Sequence, residues 1–418
     1  MGPFREGSRK ADSNSPDGGP CGSGARMSEP SIQGPSVPQE PFFSIKALAL
    51  RSSARKIDGA EYLDFFWARN ALYHGLRALG IQPGQKILLP AYLCTAAIEP
   101  LESFGAAIEF YAIQRNCVPD WADIEKRLSA NVRAIMAVHY FGFPCDVRKF
   151  RAICDRHNLF LIEDCAHVLD GVASPYGFGE SGDLSVFSPR KYLPVFDGGR
   201  LRLNRPAPGF KVGFQTESPL FTIRVAKNLW DRRKPLAAPA TALLGATSAG
   251  ETGSEPRGRP KPVRPEKPRY VFPNDTAFLP WMVNFPMSRL SRLLLPHFRV
   301  LDVASKRRAT YNDLLERLSR IEGVQPLFPQ LPSDVVPWVL PLTIGDRCDA
   351  HTRLRAVGIP AVTWGGVRDP RISAADFPDA DFLYEHLVFL PVHQDLAAAH
   401  LDRIADAVAG LQRCTVRG

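Results

Sequence analysis

The stretch Phe160-Leu161-Ile162-Glu163-Asp164-Cys165-Ala166-His167 decides the fold, together with Leu184-Ser185-Val186-Phe187-Ser188-Pro189-Arg190-Lys191 and Gly198-Gly199-Arg200-Leu201-Arg202-Leu203. Three short apolar runs, 160–162, 184–187 and 200–203, read as strands of one sheet. The first ends in two acids, Glu163 and Asp164. The second runs into Ser188-Pro189-Arg190-Lys191, and the third follows a glycine pair. Open α/β sheets bind ligands in the crevice outside the carboxyl ends of their strands. Asp164 and Lys191, 191 − 164 = 27 residues apart, are therefore candidates to face one crevice.

An acid and a lysine converging on a crevice suit pyridoxal phosphate. The lysine forms the Schiff base, and the acid pairs with the pyridinium nitrogen and keeps it protonated. Taken alone, the same residues also fit a helix cap and a solvated basic face.

Upstream, the pattern is regular. Ala68 to Leu79 has helical apolar spacing and stops at Gly80. Its first turn carries Arg69 and Asn70, where a helix N-terminus offers a phosphate site or a plain surface cap. Strands at 86–90, 107–111 and 133–139 alternate with helices at 95–104, 120–128 and 146–157. That alternation makes βαβ units and a parallel sheet covered on both faces. His139 and the turn 140–144 follow a strand end; His139 reads equally as a ligand-side group or a satisfied core histidine.

Downstream, residues 205–280 are proline-laden and contain the low-complexity run 249–269, which reads as a partly disordered insertion. Helices are expected at 288–295 and 297–318. A smaller α/β unit follows, with strands at 338–344, 361–364 and 387–390 and helices at 350–357 and 395–411. Residues 1–41 are rich in Gly, Ser and Pro and read as a disordered arm, so a start at Met27 would remove no element.

Composition narrows the class. The 418 residues are 45% hydrophobic and 23% charged, a globular balance long enough for two domains. Eight cysteines form no CxxC pair and read as reduced thiols of a cytoplasmic protein, and no metal site is expected. No apolar run is long enough to span a bilayer. The net charge of +9 is partly lodged in the basic linker 256–269, and no nucleic-acid motif accompanies it.

Five blocks in order carry a resemblance: VHYFGFPCDV (138–147), LFLIEDCAH (159–167), SGDLSVFSPRKYLPVFDGGRLRL (181–203), VGIPAVTW (357–364) and LVFLPVHQDL (387–396). The chain resembles the DegT/DnrJ/StrS family of pyridoxal-phosphate sugar aminotransferases, which share the aspartate-aminotransferase type I fold. The implied fold class is α/β, with a large domain built on a mixed, mostly parallel sheet and a smaller C-terminal α/β domain. The expected division is an arm at 1–41, a large cofactor-binding domain at 42–204, the insertion at 205–280, and interdomain helices with the small domain at 281–418.

The resemblance also implies roles. Lys191 falls at the Schiff-base lysine, Asp164 at the pyridinium partner, and His167 at the group contacting the ring's phenolic oxygen. Ser188 falls at a phosphate ligand. Arg69 and Asn70 take the helix-start place where the family has Gly-Thr. Asn284 resembles the asparagine that reaches the neighbouring subunit's phosphate, which implies a homodimer with shared active sites. The position of the ring that stacks on the cofactor matches Cys94, with Tyr92 the nearest aromatic. The asparagine pattern near 284 lacks its arginine, and Asp197 replaces the glutamate usual before the glycine pair.

The expected activity is transamination: an amino acid, in the first instance glutamate, gives its amine to a keto-sugar carried on a nucleotide, as in polysaccharide biosynthesis. Two alternatives belong beside it. A keto-sugar dehydratase of the same family carries a histidine in place of the lysine, so Lys191 argues against it. A regulatory or binding protein could retain the fold without turnover.

Overall fold

The computed structural model describes residues 35–44, 61–205, 207–231 and 278–413. Met27 and the run 249–269 lie outside them.

Seven strands form the large sheet: β1 (Glu61–Phe65), β2 (Lys86–Pro90), β3 (Ala107–Tyr111), β4 (Val132–Val138), β5 (Phe160–Cys165), β6 (Leu184–Phe187) and β7 (Gly199–Leu203), in the order β1-β7-β6-β5-β4-β2-β3. The five strands from β6 to β3 run parallel, while β7 and β1 are antiparallel to their neighbours. The sheet is thus mixed and mostly parallel, as expected. Its helices are α1 (Ala68–Ala78), α2 (Thr95–Phe104), α3 (Trp121–Arg127) and α4 (Val147–His157). Caps start two of them: Asp120 accepts from Ala122 N and Asp123 N, and Asp146 from Lys149 N.

After β2 the chain goes outward to β3, then returns to the other side of β2 for β4, β5 and β6. Such a reversal opens a crevice at the carboxyl ends of the strands. Gly199 closes the sheet against α1. A Cβ there would lie 2.1 Å from Ala68 N and from the Trp67 carbonyl carbon, so any side chain would push the start of α1 off β7.

The second sheet is antiparallel, ordered β10-β9-β8, from β8 (Val324–Pro326), β9 (Val339–Ile344) and β10 (Val388–Pro391). The strand expected at 361–364 is only a bridge, Val362 to Phe389. Pro360 has no N–H to offer, and the chain turns at once through Gly365–Val367, so no ladder can grow. Around this sheet lie α7 (Val300–Leu318), α8 (Ala350–Ala356), α9 (Pro378–His386) and α10 (Ala398–Arg413), with α7 packed on β9 and α10; α6 (Arg289–Leu294) instead shares an apolar cluster with Tyr192, Leu193 and Val195 through Leu294.

One further expectation needs correction, that of a disordered arm over all of 1–41. Within 205–280, expected to be only partly disordered, α5 (Pro219–Asp231) is a helix. Its Phe221, Val225 and Leu229, spaced i, i+4, i+8, are buried; Phe221 and Val225 pack with Phe66, Trp67 and Met282. Within the arm 1–41, residues 35–41 form a strap with Phe42 and Phe43. Val37 is buried in the main core, Pro38 O receives His393 Nε2 at 3.0 Å, and Phe42 N donates to Asp395 at 2.8 Å. Val37, the partly buried Phe43 and a few backbone hydrogen bonds hold this segment although its composition is poor in apolar groups. Among the described residues no helix is long and apolar enough to cross a membrane.

Candidate active site

The crevice is walled by the ends of β4, β5 and β6 (Val138, Asp164, Val186) and by the starts of α1 and α2 (Ala68, Arg69, Leu72; Cys94, Ala96, Ala97), with Trp364 arriving from beside the small sheet. Ser188, Arg190 and Lys191 enter from the turn after β6, and His167 from the turn after β5.

Alternation along β5 separates two neighbouring acids. Glu163 is saturated: it accepts from His139 Nε2 and Gly179 N, each at 3.0 Å, and from Gly182 N. His139 is therefore the satisfied core histidine. Asp164 faces the cavity. Its Oδ1 accepts Ala166 N at 2.8 Å, and burial raises its pKa, opposed by the charge of Lys191 and that hydrogen bond.

Lys191 is held by a single tight turn, with its N–H on Ser188 O at 3.0 Å. Burial lowers its pKa to about 8, Asp164 works in the opposite direction, and Arg190 adds to the lowering. No nitrogen–oxygen contact of 4.0 Å or less joins Lys191 to Asp164, though each feels the other's charge. The amine sits 4.7 Å from the centre of the Trp338 ring.

His167 is buried and stacked 4.2 Å from Trp338. Its Nδ1 accepts the N–H of Phe141 at 3.3 Å, which assigns the ring proton to Nε2. Burial, then the charge of Lys191, holds its pKa well below the usual value, so the ring is neutral. Phe141 donates from a left-handed backbone, φ +57. Gly142 follows at φ +95, where a Cβ would meet Val336 O at 2.4 Å and His167 O at 2.9 Å. Tyr192 Oη donates to His167 O at 2.5 Å, tying the lysine turn to the histidine turn.

Five of the eight expected site residues share the cavity: Lys191, Asp164, His167, Ser188 and Arg69. Asn70 does not. One residue further round α1, it is buried and its Nδ2 donates to Met282 O at 2.7 Å. Tyr92 does not either. It lies behind the wall, fully buried against Trp364, Tyr384 and Tyr140, and the half-buried Cys94 lines the cavity instead. Asn284 lies outside its own chain's cavity, where its backbone carbonyl accepts Gln215 N at 3.0 Å. The aromatic wall of Trp338 and Trp364 went unread because each tryptophan is isolated in sequence from the acid and the lysine.

The chain has recognisable relatives. Residues 68–208 match the profile of the DegT/DnrJ/EryC1/StrS aminotransferase family. A GDP-perosamine synthase of Vibrio cholerae is 33% identical over 137 residues, 32% of this chain and 37% of that protein. A UDP-N-acetyl-3-dehydro-α-D-glucosamine 3-aminotransferase of Acidithiobacillus ferrooxidans is 34% identical over 134 residues, 31% of this chain and 36% of that protein. The chain thus spans little more than a third of the curated relatives it matches. In fold, it resembles NtdA of Bacillus subtilis, solved with bound PMP, at a TM-score of 0.53 and 16% identity over 83% of this chain and 72% of that one.

Proposed function

We propose that this chain, a member of the DegT/DnrJ/EryC1/StrS aminotransferase family over residues 68–208, is a pyridoxal-phosphate-dependent aminotransferase that moves an amine from an amino acid to a keto-sugar. The observation that carries the reading is the pairing in one cavity of a lysine and a buried carboxylate that do not touch. A carboxylate buried with a raised pKa and one backbone donor suits a cationic ring nitrogen. Ser188, Arg69 and the amide end of α1 suit a phosphate. The residues present fit the cofactor.

When bound, the cofactor supplies an electron sink and a carrier for the amino group. Lys191 Nζ, shifted toward neutrality by burial, is the base that takes the proton from the substrate carbon and returns it. With the cofactor bound, Asp164 would pair with its ring nitrogen and keep it protonated. His167, neutral and carrying its proton on Nε2, would be the donor for its phenolic oxygen and would add no charge. Trp338 and Trp364 exclude water from one side of the amine.

Arg69 and Arg190 beside the cavity suit a diphosphate, in keeping with the nucleotide-linked sugars in the names of the relatives. Glutamate is the donor to try first. The reading includes a large cofactor-binding domain at 42–204 and a small domain at 281–418. It also includes a homodimer, supported by the exposed Leu220, Ile223 and Trp230 on one helix and Trp281 beside it. Purified protein should bind the cofactor with an absorbance band that disappears in Lys191→Ala and shifts on adding glutamate. Mass spectrometry of nucleotide keto-sugars incubated with glutamate should then read ketone converted to amine. A protein that takes up no cofactor, or whose band ignores every amino acid, overturns the reading.

A further inference from the structure

Arg307, in the middle of α7, is 1% exposed, and among the described residues no carboxylate pairs with it. Its five N–H groups instead meet five oxygens. Nε donates to Gln394 Oε1 at 3.0 Å. Nη1 donates to Trp338 O at 3.0 Å and Pro337 O at 3.4 Å. Nη2 donates to Lys191 O at 3.2 Å and Tyr192 O at 3.5 Å. The guanidinium also lies 4.5 Å over the Tyr192 ring. Gln394 completes the clamp by donating Nε2 to Tyr192 O at 3.0 Å. Its neighbours His393 and Asp395 hold the strap at Pro38 and Phe42.

We propose that Arg307, with Gln394, is a positioning residue for Lys191: one planar fork fixes both the carbonyl of the lysine and the carbonyl of the tryptophan on which its amine rests. The effect is geometric. The cations that act on the lysine amine are Arg190 and Arg69, whereas Arg307 grips its backbone. Once a cofactor is held in the cavity, its attachment to Lys191 would be effectively intramolecular, with an effective molarity that depends on how closely the amine is held. Lysine cannot replace such a fork, because a point cation with three donors cannot span five acceptors.

The proposal rests on Lys191 carrying the cofactor, so the test begins with the wild-type holoenzyme. A wild-type protein without a lysine-linked band overturns that reading and this inference together. With the band present, hydroxylamine is added and its decay followed. The amine nitrogen of hydroxylamine takes the carbon held by Lys191, and Lys191 leaves as the free amine with no change of oxidation state. Arg307→Lys should load cofactor yet release it about fivefold faster or more, with the pH midpoint of the band unmoved. Gln394→Leu, a half-buried loop change that spares the core, should accelerate release in the same direction by less, and it decides the matter if Arg307→Lys does not fold. Wild-type release in Gln394→Leu, or in an Arg307→Lys protein that has merely lost thermal stability, overturns the proposal.

Discussion

The two walls of the cavity are made in different ways. The sheet wall takes Asp164 from the end of β5, and His167, Ser188 and Lys191 from the turns that directly follow the adjacent strands β5 and β6. The other wall, shared with an adjoining pocket, takes Trp338, Trp364 and Gln39–Pro41 from three places far apart in the chain. On the sheet wall, a side chain's position follows from the strand that precedes it. On the other wall, it follows from how the small sheet packs. The proposed chemistry sits on the first wall, and the enclosure comes from the second.

The sheet wall can be tested most sharply at its paired acids. Asp164→Ala should lower the rate of amine loading by about 10²-fold to 10³-fold while the protein stays folded, because a preorganised charge is lost from an enclosed site. A loss smaller than tenfold, measured by stopped-flow on the cofactor band, would remove Asp164 from its role. Glu163, one residue earlier, should behave in the opposite way. Glu163→Gln turns an amide toward donors that now meet a carboxylate at His139, Gly179 and Gly182. The expected outcome is a loss of about 3 kcal/mol in urea unfolding with the cofactor band unchanged. If Glu163→Gln alters the band and leaves stability intact, the division of labour across β5 is wrong.

The same contrast explains what the sequence disclosed. Strand ends carrying Asp164 and Lys191 are legible because apolar runs fix the sheet, and the sheet fixes what lies just beyond it. Helix α5 hid behind the prolines around it, although Phe221, Val225 and Leu229 already had helical spacing. The strap at 35–43 gave only Val37, Phe42 and Phe43 as signal, too few apolar groups to outweigh the glycines, serines and prolines before them. Arg307 gave none: on a charged helix it reads as one more solvated cation, and only the fold puts it against five oxygens. Asn70 misled because adjacent positions on a helix point about 100° apart, so Arg69 faces the cavity while Asn70 anchors residues near Met282.

Asp197 gives the smallest and most quantitative test of the boundary between the walls. It follows the lysine turn closely, yet it points away from the cavity. Its carboxylate accepts Ser288 N and Ser288 Oγ at 2.6 Å each, and also Ser291 Oγ, at the start of α6. Burial nevertheless raises its pKa to about 6 from 3.8, against those hydrogen bonds and with a further push from Glu217. Between these values the folded state holds more protons than the unfolded state, so this group's contribution to stability is full below about pH 4 and is lost as pH rises through about 6. Asp197→Asn removes the titration. The stability gap between wild type and variant, from paired urea curves, should therefore shift against the wild type by about 2 kcal/mol between about pH 4.5 and 7.5. A gap that stays flat would mean that the carboxylate is ionised throughout, its three donors outweighing its burial. Asp197 would then be a permanent anchor for α6 rather than a proton-sensitive one.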